Sequence, residues 1–154
     1  MKGSSYFIDT NIFLRVLTKD DEKTFFKCLE LLEMVKQGKI NAVTSVLVLA
    51  EINWTLLRFY KFPKERVVQG LQSIIALSNL TFTERFNRIT ALTLYQTYSV
   101  KFIDAFIASN PGFAGGKMKI ISYDTDFDKL EVERVEPGAA RGRVADSAGA
   151  RGRR

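Results

Sequence analysis

Tyr6-Phe7-Ile8-Asp9-Thr10-Asn11-Ile12 is the stretch from which the fold can be read. A short apolar run that breaks at an acid suits a strand buried on both faces, the kind found inside a parallel sheet. Asp9 then emerges at the strand's carboxyl end, and a short helix follows from Thr10. The alternation continues along the chain. Residues 20–37 carry Phe25, Leu29, Leu32 and Val35 at helical spacing, predicting a helix that stops before Gly38 and starts at Asp20 and Asp21. Ile40-Asn41-Ala42-Val43 predicts a second strand, and Thr44-Ser45 a hydroxyl cap on a helix from Val46 to about Tyr60. Pro63 opens another helix with Val67, Leu71, Ile74 and Ile75 in register.

Leu80-Thr81-Phe82 predicts a strand, and 84–98 a helix whose apolar side is Phe86, Ile89, Leu92 and Leu94. A helix over Phe102–Ser109 ends before Pro111, Met118 to Ser122 is a further strand, Thr125–Leu130 a turn or short helix, and Val132–Val135 an edge strand. Strands alternating with helices predict an α/β class, a three-layer α/β/α domain with a mostly parallel central sheet.

The 154 residues suit one domain, and a hydrophobic content of 46% can supply its core. Residues 1–136 are read as that domain. Residues 137–154 hold one β-branched residue and no aromatic, and are predicted to be a disordered basic Gly/Ala/Arg tail. Of the net charge of +6, this tail carries +4 (five arginines against Asp146), leaving +2 for the domain. With no histidine and only Cys28, the chain cannot build Ser-His-Asp or Cys-His catalysis, a His- or Cys-ligated zinc site or an intramolecular disulfide. Carboxylates, hydroxyls, lysines and arginines remain, with Mg²⁺ or Mn²⁺ as the matching metals. No run approaches the roughly 18 apolar residues of a membrane span, and the first ten residues lack a signal peptide's apolar segment, so a cytoplasmic protein is expected.

Buried charge costs several kcal/mol, roughly, unless paired or bound to metal, so acids inside apolar runs are the informative ones. Asp9 follows Tyr6-Phe7-Ile8, and Glu51 follows Val46-Leu47-Val48-Leu49-Ala50. Asp104 is embedded in Phe102-Ile103-Asp104-Ala105-Phe106-Ile107-Ala108, and Asp124 follows Ile120-Ile121-Ser122-Tyr123. In α/β sheets ligands bind beyond the carboxyl ends of strands, where Asp9 and Asp124 should emerge. Each acid also has a plainer reading. Asp9 would cap a helix, Glu51 would pair with Arg58 or a lysine, and Asp104 would serve a helix N-terminus. Asp124, Asp126 and Asp128 echo a calcium loop, but its glycine and terminal glutamate are missing.

Together these pieces resemble the PIN-domain proteins, above all the VapC-type toxin ribonucleases of toxin–antitoxin pairs. The resemblance rests on Phe7-Ile8-Asp9-Thr10-Asn11-Ile12, Thr44 through Ile52, Phe102 through Ala108, and Ile121 through Asp128, in order and spacing across about residues 5–136. It implies a PIN fold and a Mg²⁺- or Mn²⁺-dependent endoribonuclease that cleaves single-stranded RNA by metal-activated water. It further implies that Asp9, Glu51, Asp104 and Asp124 form the catalytic metal site, with Asp126 a less regular ligand. Asn11 and Ser122 are accessory, Ser122 standing where relatives commonly have threonine.

A cognate antitoxin and a homodimer are implied partners. The antitoxin would cover the site from an apolar groove for which Trp54, Leu57, Phe59 and Tyr60 are candidates. Arg15, Arg58, Arg85, Arg88 and Lys101 are candidates for phosphate contact, against a default of solvated surface charge. The competing reading is a catalytically weak PIN module acting as a binding or scaffold partner. A phosphatase with Asp9 as nucleophile would want an acid where Asn11 stands.

Overall fold

The computed structural model describes residues 3–140. Five strands form one sheet in the order β3-β2-β1-β4-β5, with every neighbouring pair parallel. They are β1 (Ser5–Ile8), β2 (Asn41–Thr44), β3 (Leu80–Phe82), β4 (Met118–Ile121) and β5 (Arg134–Val135). The expected parallel sheet is therefore parallel throughout. Phe7 and Ile8 in the central strand are fully buried, as the unbroken apolar run required.

Six α-helices connect the strands: α1 (Thr10–Thr18), α2 (Glu22–Lys36), α3 (Val46–Arg58), α4 (Lys64–Ile75), α5 (Arg88–Thr97) and α6 (Phe102–Ala108). From β1 the chain steps outward through β2 to β3, then crosses back over to β4 and β5. Right-handed crossovers put the helices of the outward steps on one face and those of the return on the other. The main contacts divide the same way: α1 packs on α2 and α3, α3 on α4, and α5 on α6. This is the three-layer α/β/α arrangement. The reversal of direction falls between β1 and β4, which opens a crevice at their carboxyl ends.

Local signals set most boundaries. Asp21 caps α2 by accepting from the Lys23 amide, and Ser45 caps α3 through Leu47. Gly38 takes φ +69° after α2, with its amide bonded to the Val35 carbonyl, which explains where that helix stops. Gly70 in α4 lies so close to Leu17 that an added Cβ would sit 3.2 Å from its methyl carbon.

Three expectations are corrected. The buried face of α2 is Cys28, Leu31 and Val35, a rotation that leaves Leu29 exposed. In α4, Gly70 joins Val67 and Ile74 on the inner face, and Ile75 points outward. The helix expected over 84–98 begins only at Arg88, because Asn87 is held by the Ser109 hydroxyl and caps Thr90. Of its expected apolar side only Leu94 packs against the core: Ile89 is 81% and Leu92 58% exposed, and Ala91 is the residue of the helix that is fully buried.

The expected tail boundary also moves. Residues 137–140 form a helical turn bonded to the Glu136 carbonyl, and Ala140 is fully buried in the core. The rest of the expected tail, 141–154, lies outside the described residues. Among the described residues no helix is long and apolar enough to cross a membrane.

Candidate functional site

The register of the two central strands builds the floor of the crevice. Ile8 pairs with Ile121, so the next residues, Asp9 and Ser122, emerge side by side, and the Asp9 amide donates to the Ile121 carbonyl at 3.1 Å. Both are buried, Asp9 at 3% and Ser122 at 0% exposure. Asp9 occupies the N-cap position of α1 but makes no side-chain capping bond. Its Oδ2 instead accepts from the Ser122 hydroxyl at 2.6 Å and from Asn11 Nδ2 at 3.1 Å.

Ser122 Oγ also accepts from Asn11 Nδ2 at 2.8 Å and from the Asp124 amide at 3.0 Å, which uses its one donor and both acceptor positions. Asn11 Oδ1 accepts from the Tyr123 amide at 3.1 Å. Asn11 and Ser122, the two accessory candidates, thus lock the loop after β4 onto the start of α1.

The other acids arrive on helices and a turn. Thr44 donates to the Ile8 carbonyl, tying the carboxyl end of β2 to that of β1, and Glu51 follows on α3. Asp104 lies in the first turn of α6 and is 1% exposed. Asp124 caps the 3₁₀ turn Thr125–Leu130 by accepting from the Asp126 amide at 3.0 Å. Carboxylate oxygens of Asp104, Asp124 and Asp126 lie within 4.8 Å of one another. Asp9 and Glu51 stand outside that tight trio, yet their charges act on Asp104 and on each other. Asp128 turns away to Arg134.

Electrostatics mark the cluster as strained. Burial, then the charge of Asp9, pushes the Asp104 carboxyl up to about 8, with Lys101 opposing. Burial raises Asp9 as well, partly offset by the Ser122 hydrogen bond, and raises Glu51, where Asp9 adds repulsion. Asp124 alone among the four is held low. Burial would raise it, but the Asp126 amide and Lys101 outweigh that. The Lys101 ammonium sits 2.9 Å from Asp124 Oδ2, and although burial disfavours its charge, the surrounding acids raise its pKa.

Two buried acceptors, Glu51 Oε2 and Asp104 Oδ2, have no hydrogen-bond partner. Orphaned carboxylate oxygens beside further carboxylates, without a nitrogen or sulfur ligand, form a donor set for a hard divalent cation such as Mg²⁺ or Mn²⁺. Among the described residues Glu51 forms no ion pair with Arg58, and Arg58 is exposed.

Arg15 is engaged with Asp20, away from the crevice. Lys101, only one of several basic candidates in the sequence, proves to reach the acids from the surface, with its ammonium on Asp124. Its position one helical turn before Asp104 is the signal that could have singled it out. Arg134, not among the candidates, donates to the Ser122 carbonyl and pairs with Asp128 and Glu136, bracing the loop from behind.

The four residues expected to form a groove around Trp54 to Tyr60 divide between surface and core. Trp54 and Phe59 stand exposed, while Leu57 and Tyr60 pack against the core. An apolar cavity of about 310 Å³ lies instead between α1, α2 and the end of α4, lined by Phe13, Leu17, Leu29, Leu32 and Leu77.

An α/β/α domain that gathers carboxylates at the switch point of a parallel sheet defines a class whose site lies in the crevice beyond the strands' carboxyl ends. The chain belongs to the PIN-domain family, whose model matches residues 6–133; PIN domains are generally nucleases and typically use divalent metals. No curated protein matches it. Among solved structures it is similar to VapBC2 from Rickettsia felis bound to a DNA fragment from their promoter, at 19% identity and a TM-score of 0.59, covering 86% of this chain and 98% of that one. It is also similar to FitAB bound to an IR36 DNA fragment, at 17% identity and a TM-score of 0.57, covering 86% and 94%.

Proposed function

We propose that this protein is a Mg²⁺- or Mn²⁺-dependent endoribonuclease that hydrolyses single-stranded RNA, and the VapC-type toxin of a type II toxin–antitoxin pair acting in the cytoplasm. The observation that carries the nuclease reading is the crevice itself, where Asp9, Glu51, Asp104 and Asp124 influence one another and two of them present unpartnered buried oxygens. Asp9, Glu51, Asp104 and Asp124, with Asp126 beside them, would hold the cation. A bound divalent ion supplies polarisation of the phosphodiester and a water of lowered pKa.

The chain's own residues do the rest. Ser122 and Asn11 fix the Asp9 carboxylate, so its orientation is set before substrate arrives. Lys101 and the Asp126 amide hold Asp124 below the ordinary carboxylate range, whereas burial and the charge of Asp9 push the Asp104 carboxyl of the metal-free crevice up to about 8, an opposition that a bound cation would relieve. Lys101 reaches the acids from a largely exposed position, where its ammonium can meet a phosphate oxygen. With water as nucleophile the RNA 2′-hydroxyl is not consumed, and products carry 5′-phosphate and 3′-hydroxyl ends.

The resemblance to VapC-type proteins and the fold likeness to VapBC2 and FitAB support the toxin half of the reading. An antitoxin segment suits the apolar cavity between α1, α2 and α4. A homodimer suits the uncovered apolar face of Ile89, Leu92, Tyr95 and Phe102. Incubating defined RNAs with Mg²⁺, Mn²⁺ or EDTA, comparing wild type with Asp104→Asn and mapping product ends, tests the proposal. Full activity in excess EDTA or 2′,3′-cyclic phosphate ends would overturn it, and absence of cleavage with every metal would favour a binding module.

A further inference from the structure

A second feature on the carboxyl edge of the sheet is basic. The loop 83–87, which leaves β3, forms with the start of α5 and with Pro111 a groove of about 530 Å³, lined by Arg85, Phe86, Asn87, Arg88, Ile89 and Pro111. Among the described residues neither guanidinium has an ion-pair partner. The acid within this loop, Glu84, is turned away, accepting from the Val46 amide at 2.7 Å where α3 begins. Phe86 is half-buried and keeps part of its ring on the groove wall.

The loop is also fastened to the two helices that carry site acids. The Thr83 amide donates to the Thr44 carbonyl, continuing the sheet ladder just before α3, the helix of Glu51. At the far end, the Asn87 amide donates to Ser109 and the Asn110 side chain donates to Thr83, which binds the loop to the end of α6, the helix of Asp104. Ser109 and Asn110 directly follow α6, which ends at Ala108, so the groove is tied by hydrogen bonds to the end of the helix that carries Asp104.

We propose that this groove is a substrate subsite that holds the backbone of the RNA strand beside the cleavage position, with Arg85 and Arg88 on phosphates and Phe86 as a stacking surface. Unpaired arginines beside an aromatic ring are the side chains that follow a single strand without reading its sequence. Their placement on the same edge as an acidic cluster favours one continuous polyanion over an acidic peptide. The four acids repel phosphate unless it is gripped elsewhere, and the groove supplies that grip outside the acidic centre. The inference rests on the nuclease reading for its choice of RNA.

The test uses the full chain carrying Asp104→Asn, which suppresses cleavage, with and without the pair Arg85→Ala and Arg88→Ala. Binding of a fluorescent 12-nucleotide single-stranded RNA is followed by anisotropy at several salt concentrations. Losing two phosphate contacts should flatten the slope of log affinity against log salt by about 1.4 and weaken binding roughly tenfold at moderate salt. Arg85→Lys with Arg88→Lys should retain most of the slope. Both residues are exposed and outside the core, and a thermal melt checks that the fold is intact.

An unchanged slope in the alanine pair overturns the subsite, as does loss of binding to a poly-glutamate peptide with RNA binding untouched. Cleavage in the Asp104-intact background separates this inference from the nuclease reading. If wild type cuts RNA and the alanine pair has the same KM, the subsite fails and the nuclease stands. If wild type never cuts RNA but the alanine pair loses the salt slope, the groove stands and the nuclease fails. The expected outcome is a KM raised about tenfold with kcat nearly unchanged.

Discussion

Replacing Asp104 by Asn should make the metal-free protein more stable, because this carboxyl is ionised only against opposition. Its usual pKa near 3.8 is pushed up to about 8 by burial and by the neighbouring Asp9. The unfolded chain releases this proton near pH 4 while the folded chain retains it until about pH 8. Between those values the folded state binds more protons, so stability declines as pH rises through the window and levels off above it.

At pH 7 the difference amounts to a ceiling of about 4 kcal/mol, from roughly three pH units at 1.36 kcal/mol each. Asparagine removes the ionisation, and its amide can donate to the acids around it. Some of the ceiling is shared with Asp9 and Glu51, so a gain of about half is expected, or roughly 5 °C for a chain of this size. Thermal melts in EDTA from pH 4 to pH 9 are the assay. The two proteins should melt together near pH 4 and diverge towards pH 8, the variant higher. Equal pH slopes, or a variant that melts lower at pH 7.5, would refute repulsion stored at Asp104. Mg²⁺ should then narrow the gap by stabilising wild type more than the variant, as ligation of the native state does.

Ser122→Ala should cost about 1–3 kcal/mol in melts because it strands the Asn11 amide and the Asp124 amide, and Ser122→Thr should recover most of the loss. Lys101→Gln removes the cation beside Asp124, so a carboxyl-carbon NMR titration should show Asp124 moving up from its lowered value; an unmoved midpoint would mean that the Asp126 amide alone holds it low. Ending the chain at Glu136 should destabilise it by about 1 kcal/mol relative to ending at Ala140, since Ala140 is buried, as urea unfolding would show. Removing 141–154 takes away five arginines and one aspartate, and should reduce the salt dependence of RNA binding while preserving metal-dependent cleavage.

The acids were legible because evolution rarely leaves a carboxyl inside an apolar run without a use for it, and Asp9 and Asp104 proved as buried as their neighbours implied. Asn11 and Ser122 were legible only as accessories, since a bond spanning 111 residues leaves no local trace. Helix faces were less secure. Leu29, Ile75, Ile89 and Leu92 kept helical spacing but face solvent. Periodicity reports that a helix has an apolar side without saying whether this chain covers it.

By itself, then, the sequence determined the order of strands and helices, the parallel α/β class and which acids sit in apolar runs, all consequences of short-range patterning and of the cost of burying charge. The tertiary structure alone decided that the chain reverses direction between β1 and β4, which sets Asp9 beside Ser122 and opens the crevice there. It also decided that Lys101 reaches the acid cluster and that Arg85 and Arg88 share its edge. Those relations join residues far apart in the chain, and only strand register and packing bring them within reach of one another.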